Sequence, residues 1–317
     1  MKTVLALVLC MALSAFAQPY PSKTIRLIVP FPPGGAVDYY ARAVQGRLAE
    51  TLGQPILIEN RAGAGGMVGA DLVAKSPPDG YTLLVGNIAS LAMNVGVYPK
   101  MTYHPVKDFA PIIRTVAVNY VMAVHPSVPA RSVAEFIAYA KANAGKLSYG
   151  SAGSGSAPHL ATELFKQRTG IDVLHVPFKG GGPMVTDLLG GQIQMVIADQ
   201  ANLMPHVKAG RLRALGVGTL ARSAAYPELA TIAESGLPGF EARAWQGVVG
   251  PAGLPAGTID LLNAAFTRAM AMPDVNQRLL DGGLDPIPGT PREFGEFIRA
   301  EIAKWSKVAK DVGARVE

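Results

Sequence analysis

The sequence has almost no cysteine. Its one cysteine, Cys10, lies in an apolar stretch that follows Met1-Lys2-Thr3 and ends at the small residues 14–17. A short basic start, an apolar centre and a small-x-small end are typical of a secretory signal peptide. We therefore expect residues 1–17 to be cleaved after Ala17 and the product to be exported. The mature chain would lack cysteine, which excludes disulfides and thiol chemistry.

After residue 17 the sequence also lacks a long apolar run and a basic cluster. No later stretch has the 18 or more uninterrupted apolar residues of a membrane helix, so we expect a soluble protein that is not embedded in the membrane. Charged residues make up only 16% of the chain, and its net charge of +6 is scattered. Since a nucleic-acid surface needs a basic stripe with interleaved aromatics, no nucleic-acid partner is expected.

Motifs for nucleotide binding and catalysis are missing as well. The glycine stretches at 33–35 and 150–155 do not have the Gly-x-Gly-x-x-Gly spacing, and there is no Gly-Lys-Ser/Thr phosphate loop. A Gly-x-Ser-x-Gly elbow is absent, and the five histidines are scattered, so neither a cofactor nor a metal is expected. Ser154, Ser156 and His159 lie close in sequence, which leaves a periplasmic hydrolase open as a remote alternative.

What the chain has instead is a repeated pattern of strand, glycine-rich turn and helix. The apolar run at 25–31 breaks at Pro32-Pro33-Gly34-Gly35 and resumes as a helix from Tyr39, and similar turns lie at 61–66, 151–159 and 179–183. Glycine lets the backbone pass close to a ligand, and the first turn of a helix offers unpaired N–H groups and the positive end of a dipole. These turns are expected to bind an anion.

The spacing of strands and helices predicts an α/β fold. Strands are predicted at 25–31, 54–60, 81–87, 116–125, 146–150, 173–177, 195–199, 212–218 and 240–249, and helices at 67–75, 132–144, 160–168, 184–189, 258–272 and 291–312. Their alternation predicts parallel pairing with helices on both faces of the sheet. Because the glycine turns fall in two separate halves of the chain, we expect them to meet at one cleft beyond the carboxyl ends of the strands.

Such a cleft would be rich in hydrogen-bond donors. The turns supply backbone N–H groups and serine hydroxyls, and each hydrogen bond to a charged group contributes roughly 1.5–3 kcal/mol. Three or four of them, less the cost of association, reach the roughly −8 kcal/mol of a micromolar carboxylate site. Asp38, at the start of the first helix, is expected either to cap that helix or to contact the ligand.

The chain resembles the Bug family, the periplasmic solute receptors of tripartite tricarboxylate transporters. The resemblance covers essentially the whole mature chain and rests on separated motifs in the family's order. They include Ile28-Val29-Pro30-Phe31-Pro32-Pro33-Gly34-Gly35 with Asp38, Glu59-Asn60-Arg61 with Gly63-Ala64-Gly65-Gly66, Pro78-Asp79-Gly80-Tyr81, Tyr149-Gly150-Ser151 with His159, Lys179-Gly180 with Asp187-Leu188-Leu189-Gly190-Gly191, and Glu234-Ser235-Gly236-Leu237-Pro238-Gly239.

The resemblance implies a two-lobed Venus flytrap, the type II periplasmic binding protein fold, with the ligand in the cleft between the lobes. Lobe 1 would comprise 18–123 and 219–317, lobe 2 would be 124–218, and the hinge would lie near 123–126 and 215–219. The resemblance nominates ligand-binding residues in both lobes. They are Phe31, Pro33, Gly34, Gly35 and Asp38 from the first, Ser151, Ala152, Gly153, Ser156 and His159 from the second, and Asn87, Ser90, Lys179, Gly180 and Asp199 at the variable end.

The function implied is a monomeric, non-enzymatic receptor that binds a small carboxylate and passes it to membrane permease subunits. A receptor that reports the same acid to a membrane kinase is an alternative that the sequence does not separate from it. The chain departs from the family at 87–91, at Phe178 in place of tyrosine, and at Gln246 in place of an aromatic residue. These changes fall at the distal end of the pocket, so the identity of the acid stays open.

Overall fold

The computed structural model describes residues 20–222 and 226–315. The expected signal peptide and its cleavage after Ala17 lie outside the described residues. Within the described part of the chain, no helix combines the length and the hydropathy needed to cross a membrane.

The first part of the chain builds four strands with helices between them. In order they are β1 (Ile25–Val29), α1 (Ala36–Leu52), β2 (Ile56–Asn60), α2 (Met67–Ala74), β3 (Thr82–Asn87), α3 (Asn94–Val97) and β4 (Phe109–Val124). A 3₁₀ turn, Ala64–Gly66, precedes α2, and a π-helical turn, Ala89–Met93, precedes α3. Helix α1 begins three residues earlier than predicted, because Gly35 has extended backbone angles and ends the turn there.

The middle of the chain continues the same alternation, and the last part returns to the first. The middle holds α4 (Val133–Ala142), β5 (Ser148–Ser151), α5 (Ala157–Thr169), β6 (Leu174–Pro177), α6 (Gly181–Leu189), β7 (Met195–Asp199), α7 (Gln200–Lys208) and β8 (Arg213–Val217). The last part holds β9 (Arg243–Pro251), α8 (Ala256–Ala271), α9 (Pro273–Asp281), β10 (Leu284–Pro286) and α10 (Pro291–Asp311).

The strands that carry the glycine turns pair in parallel, as predicted. β1 lies between β2 and β3, and β5 lies between β6 and β7. The prediction of parallel pairing is wrong for the remaining strands. β9 is antiparallel to both β3 and β4, and β4 is also antiparallel to β7, β8 and β10. These strands carry the chain between the two halves and back, so they run against the strands of the repeated units.

The 16-residue strand β4 joins the two halves of the sheet. Its first part, 109–119, pairs with β9, and its last part, 120–124, pairs with β7 and β8. The returning chain passes the same point, where the Gly218 N–H donates to the Tyr120 carbonyl at 2.9 Å and the Ala242 N–H donates to the Gly218 carbonyl at 2.8 Å. The lobe boundaries at 123/124 and 218/219 stay a prediction.

Several short elements were not predicted. They are the π-helical turn with α3, α7, α9 and β10. Helix α7 contains Pro205, which ordinarily interrupts a helix because its ring clashes with the preceding turn. A capping box at the start of α4 is only half formed. Ser132 accepts from the Glu135 N–H, but the Glu135 carboxylate accepts from the N–H of Arg131 instead of that of Ser132.

Candidate functional site

The first glycine turn, 32–35, lies beside the turn at 61–66, at the carboxyl edge of β1, β2 and β3. A Cβ placed on Gly66 would lie 3.0 Å from the ring of Phe31 and 3.4 Å from Cβ of Ser90. Gly66 has φ +91°, a conformation that favours glycine, so the close approach and the backbone both require this residue. The fold thus brings two of the predicted residues, Phe31 and Ser90, against a glycine that the prediction did not include.

Asp38 holds the first glycine turn in place. Its Oδ2 accepts from the Gly34 N–H at 3.0 Å and from Arg42 Nε at 2.9 Å. Its Oδ1 accepts from Arg42 Nη2 at 3.0 Å and from Asn60 Nδ2 at 2.9 Å. Burial opposes the charge on Asp38, but the hydrogen bonds from Arg42, Gly34 and Asn60 outweigh it and keep the pKa below its usual value.

This bonding bears on the two roles expected for Asp38. The carboxylate does not cap helix α1, because the residue at the cap is Gly35 and no side chain caps this helix. It also does not present a free oxygen to the cleft, since both oxygens accept two hydrogen bonds. Asp38 therefore holds the first glycine turn to α1 and to the end of β2. Arg42 and Asn60, which the prediction did not name as site residues, take part in the same network.

The N-terminus of α1 is left open to solvent. Pro33, Gly34 and Gly35 are exposed, and the nearest atom to a Cβ built on Gly35 is the Pro32 carbonyl oxygen at 3.9 Å. Helices α4 and α10 are capped by Ser132 and by the Thr290 capping box respectively. The first turn of α1 has no such partner, so its N–H groups are available to an anion.

The second-half turn, 151–159, is built around Ser151. This serine is fully buried, and its Oγ lies 2.6 Å from His175 Nε2, 3.0 Å from the Gly153 carbonyl and 3.2 Å from the Gly153 N–H. Gly155 packs against helix α3 of the first half, because a Cβ on it would meet Cγ1 of Val97. Ser151 thus shapes the turn, while Ala152 and Gly153 are partly exposed.

His159 is bonded to the same turn. Its Nδ1 accepts from the Gly155 N–H at 3.0 Å, and its ring stacks on His175 with the centroids 4.0 Å apart. The His175 ring in turn stacks on Tyr149 at 4.9 Å. Burial lowers the pKa of both histidines, and His159 adds to the effect on His175, whose pKa falls to about 4. Both rings are therefore neutral at neutral pH, and His159 acts as an acceptor that fixes the turn.

Ser156 is the residue of this turn with an unused polar group. It is the N-cap residue of α5, yet its side chain does not cap the helix, and its buried Oγ has no hydrogen-bond partner. Ser154 is exposed. No hydrogen bond joins either serine to His159 within the described residues.

The residues predicted for the variable end of the site lie in both halves of the chain. The Asn87 N–H donates to Ser90 Oγ and the Ser90 N–H donates to Asn87 Oδ1, each at 3.1 Å, so these two residues bond each other. Lys179 is exposed, and Gly180, with φ +112°, starts helix α6. Asp199 is the N-cap residue of α7, and burial raises its pKa to about 6. A Cβ on Gly181 would lie 3.7 Å from Asn202 Nδ2, so the starts of α6 and α7 are neighbours.

One further residue at this end was identified in the sequence only as a departure from the family. Gln246 on β9 is 1% exposed, and neither its Oε1 nor its Nε2 has a hydrogen-bond partner. Among the described residues there is no group of three or more His, Cys, Asp or Glu side chains able to hold a metal ion.

Comparisons with known proteins identify the family of the chain. Residues 40–314 match the family model described as "Tripartite tricarboxylate transporter family receptor". The protein BugT of Bordetella pertussis (strain Tohama I) is 38% identical over 302 residues, which are 95% of this chain and 93% of BugT.

Two solved structures resemble the chain closely. "R. palustris Rpa4515 with adipate" has a TM-score of 0.85 and 38% identity, covering 94% of this chain and all of that one. MatC from Rhodopseudomonas palustris with bound malate has a TM-score of 0.80 and 34% identity, covering 91% of this chain and 99% of that one.

Proposed function

Because the chain belongs to the receptor family of tripartite tricarboxylate transporters, we propose that it is a periplasmic receptor that captures a small organic acid and delivers it to the membrane permease of such a transporter. The fold class expected from the sequence, a two-lobed Venus flytrap of the type II periplasmic binding class, is that of its solved relatives. The relatives Rpa4515 and MatC were solved with adipate and malate, which are both carboxylates.

The observation that carries this proposal is the start of two helices, one in each half of the chain, at glycine turns that leave the helix without a side-chain cap. Helices α1 and α5 both begin at such a turn and both lack a side-chain cap, and Ser156 Oγ is buried there without a partner. A carboxylate accepts hydrogen bonds from N–H and O–H groups and is favoured at the positive end of a helix dipole. A ligand carboxylate would thus take the place of the missing caps and bind the two halves together.

The nominated residues divide into three groups under this proposal. Gly34, Gly35, Ala152, Gly153 and Ser156 bind the carboxylate, with Phe31 and Pro33 shaping the turn around it. Asp38, Ser151 and His159 hold the two turns in position through the bonds described above. Asn87, Ser90, Lys179, Gly180 and Asp199 line the distal end.

We also propose that the receptor does not catalyse a reaction and acts as a monomer. Ser154 and Ser156 are not hydrogen-bonded to a histidine, and His159 Nδ1 is bonded to the Gly155 N–H, while Ser151, which does bond His175, is fully buried. A receptor that signals to a membrane kinase would use the same site, so the partner separates the two functions. Capture of the receptor on membranes that contain either the permease subunits or the kinase distinguishes them.

The test of the ligand class is a thermal-shift screen of ligand-stripped protein against mono-, di- and tricarboxylates. A ligand at about 100 times its dissociation constant stabilises the protein by roughly 2.7 kcal/mol, which corresponds to a shift of several degrees. We expect a shift with an acid and none with its ester or amide. Ser156→Ala should weaken binding of that acid about tenfold, because a hydrogen bond to a charged group is lost.

Ser154→Ala is the matched control, since this serine is exposed and the proposal gives it no part in binding. Its affinity should equal that of the wild type. A screen in which no acid shifts the melting temperature would contradict the proposed ligand class. Ester hydrolysis that Ser154→Ala abolishes would instead favour the hydrolase.

A further inference from the structure

The side-chain amide of Gln246 is buried and makes no hydrogen bond. It lies in the middle of β9, is 1% exposed, and has no partner for either Oε1 or Nε2. The glutamine amide can accept through its oxygen and donate through its nitrogen. Leaving both groups unpaired costs folding free energy, so an amide in this state requires an explanation.

The strand register places this amide at the ligand edge of the sheet. Gln246 lies directly opposite Asn87, the last residue of β3, and side chains at directly opposite positions lie on the same face with Cβ atoms about 4.5–5.5 Å apart. Since β3 is parallel to β1, its end lies at the edge where the first glycine turn begins. Gln246 therefore lies beside Asn87 on β9, which is one strand further than β3 from β1 and its glycine turn.

The surrounding protein does not satisfy the amide. Trp245 and Gly247 face helix α10, where the Trp245 ring meets Phe294 edge-on at 5.8 Å and a Cβ on Gly247 would strike the same ring. Successive residues of a strand point to opposite faces, so Gln246 points away from α10. Its register partner on the other side is Val116, which is fully buried and offers no polar side-chain group.

The distal end also has no buried cation. Among the described residues, Asp38 is the one side chain that is buried and formally charged at neutral pH, and no lysine or arginine is buried. Lys179 is exposed, and Asp199 at this end would repel a second carboxylate when ionised. A ligand group that is uncharged suits this end better than an anionic one, because a buried charge without a partner is costly.

We infer that Gln246 is the specificity-determining residue at the distal end of the cleft, and that the natural ligand is a monoanionic acid whose far end carries an uncharged group that both donates and accepts a hydrogen bond. A hydroxyl and a carboxamide have this chemistry. A carboxylate only accepts, and would leave Oε1 of Gln246 unpaired. This inference rests on the proposed function, since it assumes that the first carboxylate binds at the glycine turns.

The experiment compares ligands of equal length that differ only at the far end. Isothermal titration of ligand-stripped protein would use adipate, adipamate, 6-hydroxyhexanoate and hexanoate, and the corresponding four-carbon set. For the length that fits, the wild type should bind the amide or hydroxy acid about tenfold to a hundredfold more tightly than the dicarboxylate or the plain acid. Gln246→Met, which keeps the length of the side chain without its polar atoms, should lose that preference.

The stability of the unliganded variant separates ligand contact from a structural role. Because Gln246 has no partner in the protein, Gln246→Met should melt at the wild-type temperature or above it, and Gln246→Leu serves if the methionine variant does not fold. Gln277→Met, at an exposed glutamine on α9, is the control and should keep the wild-type preference.

Two outcomes would overturn the inference in different ways. Tightest binding of a dicarboxylate, or a preference that Gln246→Met leaves unchanged, would contradict the role of Gln246 while the carboxylate receptor stands. Failure of every acid in both sets, together with a negative screen, would contradict the proposed function itself.

Discussion

At the scale of single residues, the proposed site depends on Gly35, which has no side chain to cover the first-turn N–H groups of α1. Its φ of −82° and ψ of 170° are extended and open to any residue, and a Cβ there meets no atom closer than 3.9 Å. The glycine is therefore not required by the backbone at this position. Its lack of a side chain keeps the first turn of α1 uncapped and accessible to a ligand.

We predict that Gly35→Asp abolishes carboxylate binding without loss of stability. The new carboxylate would cap α1, which is neutral or adds a few tenths of a kcal/mol to the free energy of unfolding. It would also occupy the N–H groups and repel the carboxylate of the ligand, so affinity should fall by about a hundredfold or more. Thermal melting and titration calorimetry measure the two effects.

The matched control is Gly35→Asn, which can cap the helix but carries no charge. It should bind the acid more weakly than the wild type and more tightly than Gly35→Asp. Wild-type affinity in Gly35→Asp would show that the first glycine turn is not part of the site.

At the scale of elements, the turn at 151–159 is held by a stack of aromatic rings that joins β5, β6 and α5. His175 on β6 bonds Ser151 and lies between the rings of Tyr149 and His159. Tyr149 donates to Glu163 at 2.5 Å, and Glu163 pairs with Lys166 at 2.8 Å. The turn is thus fixed by contacts between elements, and its shape depends on His175 staying neutral.

We predict that His175 makes stability fall as the pH falls from about 6.5 towards 4. Its pKa is about 4 when folded, against an ordinary value near 6.5, so between these values the unfolded chain binds a proton that the folded protein does not. The loss should be on the order of 1–2 kcal/mol. Asp199 has the opposite sign, because its pKa is raised to about 6 and protonation favours the folded state.

The comparison is therefore made in an Asp199→Asn background. Urea denaturation between pH 4.5 and 7.5 should give a steeper pH dependence in Asp199→Asn than in the double variant with His175→Phe, which keeps an aromatic ring in the stack. Identical slopes would contradict a buried neutral His175.

At the scale of the whole molecule, strand β4 couples the two halves. It passes from pairing with β9 to pairing with β7 and β8 between Asn119 and Tyr120, where the returning chain also crosses. A ligand that bonds α1 and α5 together touches both halves, so it stabilises a closed arrangement more than an open one. The lobe assignment of 18–123 with 219–317, and of 124–218, follows this division closely and remains our proposal.

We predict that saturating ligand lowers the radius of gyration measured by small-angle X-ray scattering. Closure should move it towards the roughly 19 Å expected for one compact unit of this length. Gly35→Asp, tested with the same acid, should show no change, and so should wild-type protein with the ester. A radius that stays constant when the wild type is saturated would contradict closure.

The sequence by itself determined the local conformations and the family. The glycine turns and the strands at 25–31, 81–87 and 195–199 lie where the pattern predicts them, and the helices that follow the turns begin within three residues of the predicted starts. Hydrophobic period and glycine content act over a few neighbouring residues, which is why the sequence is sufficient here. The resemblance to the receptor family is confirmed. The sequence alone could indicate it, because the motifs that carry it are short and local.

Only the tertiary structure decided how these pieces combine. One hydrogen bond of Asp38 comes from Asn60 on β2. The surroundings of the Gln246 amide are set by Asn87 and Val116, which lie opposite it on two other strands. The antiparallel course of β4 and β9 likewise depends on partners far away in the chain. Which distant groups meet is set by the packing of the whole sheet, so the pattern along the chain could nominate Asp38 as a site residue but could not assign its role, and it marked Gln246 only as unusual.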